Sequence, residues 1–105
     1  MNFSQITIGG HLTRDPEILF SKTGEQQFCR FTVAYNDSKK VAIFFNAVAF
    51  GRTAELIMEH FTKGQAILIS GQIQDNSYTD KDGMERKGMQ IIVQSFAFCG
   101  KKKED

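Results

Sequence analysis

Residues 42–51 carry the side chains with the clearest potential for binding chemistry. Their sequence, AIFFNAVAFG, contains no acidic residue, and the two-residue period of a strand places Phe44, Asn46, Val48 and Phe50 on one face. The opposite face is apolar as well, whereas a strand in a small domain normally has one face in water. Aromatic side chains on both faces indicate burial on both sides or a face kept bare for a flat ligand. We predict the second arrangement, with Phe44 and Phe50 stacking on unpaired bases.

A neighbouring stretch supplies a cation for the same surface. In residues 28–35, FCRFTVAY, alternation predicts that Cys29, Phe31, Val33 and Tyr35 face the core. Arg30 then points outward, either to solvent or to a ligand. The outer face that receives Arg30 is of the same kind as the face that carries Phe44 and Phe50.

Length and charge set limits on this interpretation. The 105 residues, 41% of them hydrophobic, predict one domain over residues 1–100, followed by a charged tail at residues 101–105. Thirteen Lys and Arg against twelve Asp and Glu leave a net charge of +1. The strong basicity that is typical of nucleic-acid binders is missing, so any positive surface must come from the distribution of charges.

The sequence gives no sign of catalysis or of metal binding. It has no Ser-His-Asp, Cys-His or paired-carboxylate arrangement and no glycine-rich phosphate loop, so we expect neither an enzyme nor a cofactor. His11 and His60 have no partner residues at metal-ligand spacing. The acidic residues around the sequence DKDG are explained by a hairpin turn, and no metal site is expected.

Cysteine usage and the chain start bear on the compartment. Cys29 and Cys99 are too few for a disulfide framework, and we expect both to be buried thiols. No run of about 18 apolar residues is present, and the first residues lack the pattern of a signal peptide. A cytoplasmic protein is therefore expected.

The order of the predicted elements indicates the fold. Alternating patterns predict strands at residues 5–12, 18–20, 28–35, 42–51, 66–78 and 89–98, with Ile67, Ile69 and Ile73 facing inward. One helix is predicted after the fourth segment, with Thr53 as its N-cap and Gly64 as its C-cap. No β-α-β alternation occurs, so a parallel sheet is disfavoured. The plan is that of an OB-fold, a five-stranded Greek-key barrel with one helix, which binds oligonucleotides or oligosaccharides.

Six segments in this order resemble the bacterial and phage single-stranded DNA-binding proteins. They are GHLTRDPE at residues 10–17, FTVAY at 31–35, FFNAVAFGR at 44–52, AELIMEHFTKG at 54–64, ISGQI at 69–73 and SYTDKDG at 77–83. Together they run from residue 10 to residue 83, about seven tenths of the chain. The resemblance implies an OB barrel, usually a homotetramer, that coats single strands without catalysis. It also implies that the strand near Ile6 pairs with its counterpart in a neighbouring subunit.

The resemblance further implies roles for individual residues. Phe44 and Phe50 match positions of base-stacking aromatics, and Tyr78 matches a third, at the last hairpin. Arg52 and Arg86 match positions that are usually basic, and Arg14 matches a basic or polar one. The predicted DNA-binding set is Phe44, Phe50, Tyr78, Asn46, Arg14, Arg30, Lys39, Lys40, Arg52, Arg86 and Lys87.

The chain departs from the pattern of that family at three places. The loop at residues 36–40 is short and has Lys39 where others carry a further aromatic residue. Gln74 and Asn76 stand where arginines are common. The sequence ends in KKKED without a Gly/Gln-rich linker and an acidic tip, so partners recruited by such a tip are not expected. A trimmed chain and a naturally short phage or mobile-element form both remain open, and the second is favoured.

We expect sequence-independent binding and protection of single-stranded DNA in replication, recombination and repair. The alternatives are a primosome-type OB dimer, which solution mass would distinguish, and an RNA-binding OB domain of the cold-shock type. A small hydrolase or nuclease is a third alternative, disfavoured by the missing catalytic arrangement.

Overall fold

The computed structural model describes residues 4–21, 23–39, 41–75, 77–86 and 88–98, and of Tyr78 only the backbone. Eight strands and one helix follow one another in these residues. In chain order they are β1 (Ile6–Leu12), β2 (Glu17–Phe20), β3 (Gln27–Asn36), β4 (Ala42–Phe50), α1 (Gly51–His60), β5 (Ala66–Asp75), β6 (Tyr78–Thr79), β7 (Glu85–Arg86) and β8 (Met89–Phe98).

Five of the strands close into a barrel in the order β1, β5, β8, β4, β3 and back to β1. β1 closes it by pairing with β5 along most of its length and with β3 at its end, where Leu12 lies opposite Val33. β2 extends the sheet beyond β3, and β6 and β7 form a separate small hairpin. This closed barrel with a single helix confirms the predicted OB-fold.

One pairing differs from the predicted antiparallel sheet. β4 and β8 run parallel, with Ala47 opposite Ile91 and Val48 opposite Ile92, while the other pairings are antiparallel. The sequence pattern could not show this pairing because it joins two strands that are separated by α1, β5, β6 and β7. Closure of the barrel, rather than a β-α-β unit, brings these two strands together.

The core forms where the inward positions of the barrel strands meet one side of α1. Buried residues alternate along β3 at Cys29, Phe31 and Val33, and along β5 at Ile67 and Ile69, as predicted. The predicted inward positions of Tyr35 and Ile73 are wrong, since both side chains are exposed. Each lies within the last three residues of its strand.

The helix begins and ends at residues other than those predicted. Phe50 is the N-cap and makes no side-chain cap bond, so Thr53 is not the cap. Gly51 has a φ of 58°, which lets the chain turn directly from β4 into α1. At the other end Phe61 is the C-cap, and the N–H of Gly64 (φ 84°) donates to the carbonyl oxygen of Leu12 at 2.8 Å.

Candidate nucleic-acid interface

A groove of about 730 Å³ runs along the outer face of β3 and β4. The register of the two strands builds it, because residues at alternate positions on paired strands point to the same side. Two residues that lie directly opposite each other on β3 and β4 form a row across the strands. The rows on this outer face are Phe28 with Phe50, Arg30 with Val48, Thr32 with Asn46, and Ala34 with Phe44. Other residues that line the groove are Thr13, Arg14, Asp15, Glu17, Phe31 and Gln90.

Phe44 and Phe50 lie at opposite ends of this groove. Phe44 is 62% exposed and Phe50 is 37% exposed, whereas Val48 between them is buried. Phe50 follows Phe44 by six positions along β4, which corresponds to about 20 Å. They therefore offer two distinct apolar surfaces rather than one continuous one.

Phe28 is a groove residue that the sequence analysis did not select. Its ring centroid lies 5.8 Å from that of Phe50, with an angle of 39° between the ring planes. The two rings form one wider aromatic surface at this end of the groove. The sequence did place Phe28 on the same strand face as Arg30. Only the register between β3 and β4 shows that the Phe50 ring lies beside Phe28.

Neutral polar side chains line the groove between the rings. The Thr32 hydroxyl donates to Oδ1 of Asn46 at 3.1 Å, across the row that these two residues share. Gln90, from β8, donates through Nε2 to Oε1 of Gln74 at 2.7 Å. Amides and hydroxyls thus occupy the middle of the groove and can donate to bases or phosphates without adding charge.

Three arginines of the predicted set have a carboxylate beside them. A nitrogen–oxygen distance of 3.6 Å separates Arg30 from Glu17, and the corresponding distance is 3.1 Å for Arg52 with Glu55 and 2.7 Å for Arg86 with Asp80. Of these arginines, Arg30 alone lines the groove.

The remaining cations of the predicted set are placed as follows. Arg14 lines the groove. Lys39 is exposed in the loop between β3 and β4, where its backbone N–H donates to Oδ1 of Asp37 at 2.8 Å. Lys40 and Lys87 lie outside the described residues.

The β6–β7 hairpin is held by one carboxylate. Oδ1 of Asp80 accepts from the backbone N–H of Met84 at 2.9 Å and of Asp82 at 3.0 Å, while Oδ2 accepts from Nε of Arg86. The Arg86 guanidinium, followed by the Met84 N–H, holds the pKa of Asp80 below its ordinary value. Tyr78, whose backbone pairs with that of Arg86, begins this hairpin. Arg86 is thus engaged in fixing the turn.

The described residues offer little else for chemistry. No group of three or more His, Cys, Asp or Glu side chains within the described ranges could hold a metal ion. Burial raises the pKa of the Cys29 thiol to about 11, so the thiolate that would react is scarce at neutral pH. Cys99 lies outside the described residues. In the same ranges no helix combines the length and the apolar character needed to cross a bilayer.

Comparison with known proteins gives a consistent result. The model of the single-strand binding protein family matches residues 3–99. A single-stranded DNA-binding protein of Clostridium perfringens is 37% identical over 97 residues, which cover 90% of this chain and 65% of that protein. One of Fusobacterium nucleatum is 36% identical, covering 89% of this chain and 64% of the relative.

The relatives differ in length. The chain spans about 65% of the first two. Single-stranded DNA-binding protein 1 of Clostridium acetobutylicum is 28% identical over 107 residues, and there the match covers 96% of this chain and 97% of the relative. The similarity therefore extends over nearly the whole chain.

Proposed function

Because the chain belongs to the single-strand binding protein family, we propose that it binds single-stranded DNA without sequence preference, in replication, recombination and repair. The family is a non-enzymatic one, and we propose no catalysis and no cofactor. The observation that carries the proposal is the 62% exposure of Phe44 in a groove that has a second aromatic surface at its other end.

The proposed mechanism starts with stacking. Every base has a π-face, so an exposed ring binds any sequence, at about 1–3 kcal/mol per base. Phe44 and Phe50 are about 20 Å apart along β4, while stacked neighbouring bases are about 3.4 Å apart, so the two rings must take bases that are not neighbours. We assign a third platform to Tyr78, from the sequence match alone.

Phosphate contacts follow from the same path. A strand whose bases lie on Phe44 and Phe50 crosses the row of Arg30 and passes the groove wall that Arg14 lines. We propose these two arginines as the groove's cations, with Asn46 as a neutral donor between the rings. Further cations along the path are proposed to be Lys39, Lys40, Arg52, Arg86 and Lys87.

Selectivity for single strands follows because the rings bind base faces and the cations bind only phosphates. In duplex DNA the base faces are stacked on one another and cannot reach Phe44. A duplex exposes its phosphates and the edges of its bases, neither of which can stack on a ring. The net charge of +1 gives the protein little attraction for the phosphates.

A titration at two salt concentrations tests the proposal. We expect the fluorescence anisotropy of a labelled dT oligonucleotide to rise when the protein binds it. A labelled duplex of matched length is expected to bind far more weakly. We expect four of the seven proposed cations to contact phosphates, so the slope of log K against log salt should be no steeper than about −3, at about 0.7 per contact on a single strand. Equal binding of duplex and single strand, or a clearly steeper slope, would contradict a site that relies on stacking.

We further propose that the chain acts as a homo-oligomer, with a tetramer favoured over a dimer. A second, apolar concavity of about 300 Å³ supports this, because exposed apolar surface of this kind is typical of contacts between subunits. It shares Phe44, Asn46 and Gln90 with the groove and extends beyond them. It includes Ile43, Ile73 and Met89, of which Met89 is 67% exposed. The proposed location is the bacterial cytoplasm, or the cytoplasm of the host if the chain is phage-encoded.

The oligomer has its own measurement. Light scattering is expected to give four times the 11.9 kDa of one chain, and Ile73→Glu is expected to lower that mass by placing a charge in the concavity. Lys63→Glu also introduces an exposed carboxylate, at a site outside the concavity, and should leave the mass unchanged. A monomer mass for the unmodified chain would refute the proposed assembly.

A further inference from the structure

The groove contains a carboxylate that faces one of its own cations. Glu17 on β2 lies directly opposite Arg30 on β3, and Oε2 of Glu17 is 3.6 Å from Nη2 of Arg30. Both side chains line the groove and are about half exposed, at 51% and 55%. A negative charge on the wall of a site for a polyanion is unfavourable, so its presence needs an explanation.

We propose that Glu17 is an internal counter-ion for Arg30, which a DNA phosphate must displace and which thereby limits affinity. This inference rests on the proposed function. A phosphate and a carboxylate compete for the same guanidinium N–H groups, since both are oxygen anions that guanidinium binds well. Binding therefore exchanges one anion of the protein for one anion of the strand.

The local contacts make this exchange feasible. Among the described residues Arg30 is the one polar partner of the Glu17 carboxylate, so displacement breaks this ion pair and no hydrogen bond of Glu17. Asp80 differs, because its carboxylate also accepts two backbone N–H groups and fixes a turn. An exposed ion pair is weak, equivalent to a factor of about 1.4 to 5 in an equilibrium constant, and a phosphate contact can replace it.

The exchange has a signature in the salt dependence of binding. A strand that meets a free cation releases counter-ions bound by the nucleic acid, and each such contact adds about 0.7 to the steepness of log K against log salt. At Arg30 the protein's charge is already compensated by Glu17, which stays tethered when displaced and keeps repelling the phosphate. The unmodified groove should therefore show less than the full effect of the Arg30 contact.

The test compares Glu17→Gln with Glu59→Gln, using a dT oligonucleotide over a series of salt concentrations. Glu59→Gln makes the same change in net charge on α1, at a 66% exposed residue that does not line the groove. We expect Glu17→Gln to tighten binding about two- to fivefold at low salt and to steepen the slope by up to about 0.7. Glu59→Gln should change both much less.

Repeating the exchange in an Arg30→Gln background separates displacement from plain repulsion. Without Arg30 the substitution of Glu17 should no longer steepen the slope, even if it removes some repulsion. An unchanged slope in Glu17→Gln, or the same steepening with and without Arg30, would overturn the inference while leaving single-strand binding intact. If the unmodified chain fails to bind the dT oligonucleotide at all, the proposed function fails, and this inference fails with it.

Discussion

Phe44→Ala is expected to weaken binding of a dT oligonucleotide by about 5- to 150-fold, the equivalent of the 1–3 kcal/mol that stacking of one base contributes. The ring is 62% exposed, so its removal should leave the free energy of unfolding within about 0.5 kcal/mol. The loss should therefore appear in binding alone. Fluorescence anisotropy measures the affinity, and thermal unfolding of the same samples measures the stability.

Phe20→Ala is the matched control for this substitution. Phe20 is 58% exposed, close to the value for Phe44, but it lies at the end of β2 and does not line the groove. Its removal deletes the same ring from the surface, so unspecific loss of apolar area would affect both variants equally. Equal affinities for Phe44→Ala and the unmodified chain would show that Phe44 is not a stacking platform of the proposed site.

Stacking and charge make separable contributions in such a site. The rings give affinity that salt hardly affects, whereas phosphate contacts give affinity that falls as salt rises. Phe44→Ala should therefore shift the whole salt series downward without changing its slope. Glu17→Gln should change the slope. The two variants together would show whether both contributions are present in the same groove.

The sequence predicted the fold well because strand periodicity and turn chemistry are local. Alternation in β3 placed Cys29, Phe31 and Val33 in the core, and the hairpin signal after residue 79 coincides with the turn that Asp80 closes. Local signals could not give the parallel pairing of β4 with β8, which depends on how the barrel closes.

The sequence also could not show which strand approaches the backbone of a strand glycine. At Gly71 the register between β5 and β8 shifts, and a Cβ added there would lie 1.9 Å from the carbonyl oxygen of Ile92. A glycine in a strand indicates a bulge or a close contact, but it does not say which strand comes near. That information exists only in the assembled barrel.

In the candidate site, too, the sequence predicts local features and not the contacts between strands. A two-residue period is enough to put Phe44, Phe50 and Arg30 on outer faces, and the structure brings all three to one groove. The two-residue period cannot reveal that Phe28 lies against Phe50 or that Glu17 faces Arg30, because both contacts depend on the register between strands. Unlike Arg30, Arg52 and Arg86 do not line the groove, and their part in DNA binding stays a prediction.

Phe61→Ala is expected to lower the free energy of unfolding by about 3–5 kcal/mol, the range for removing a buried phenylalanine ring. Phe61 is 1% exposed at the end of α1, stacks on Phe98 at 4.7 Å between centroids and meets Phe96 edge-on at 5.5 Å. A small domain has a total free energy of unfolding of only about 5–15 kcal/mol, so thermal unfolding should begin at clearly lower temperature.

Phe61 does not line the groove, and the fraction that remains folded should bind the dT oligonucleotide with unchanged affinity. Phe20→Ala, which removes an exposed ring, should shift the unfolding temperature little. A variant as stable as the unmodified chain would contradict the packing of α1 on the barrel, and a stable variant with weakened binding would show that the helix end belongs to the DNA site.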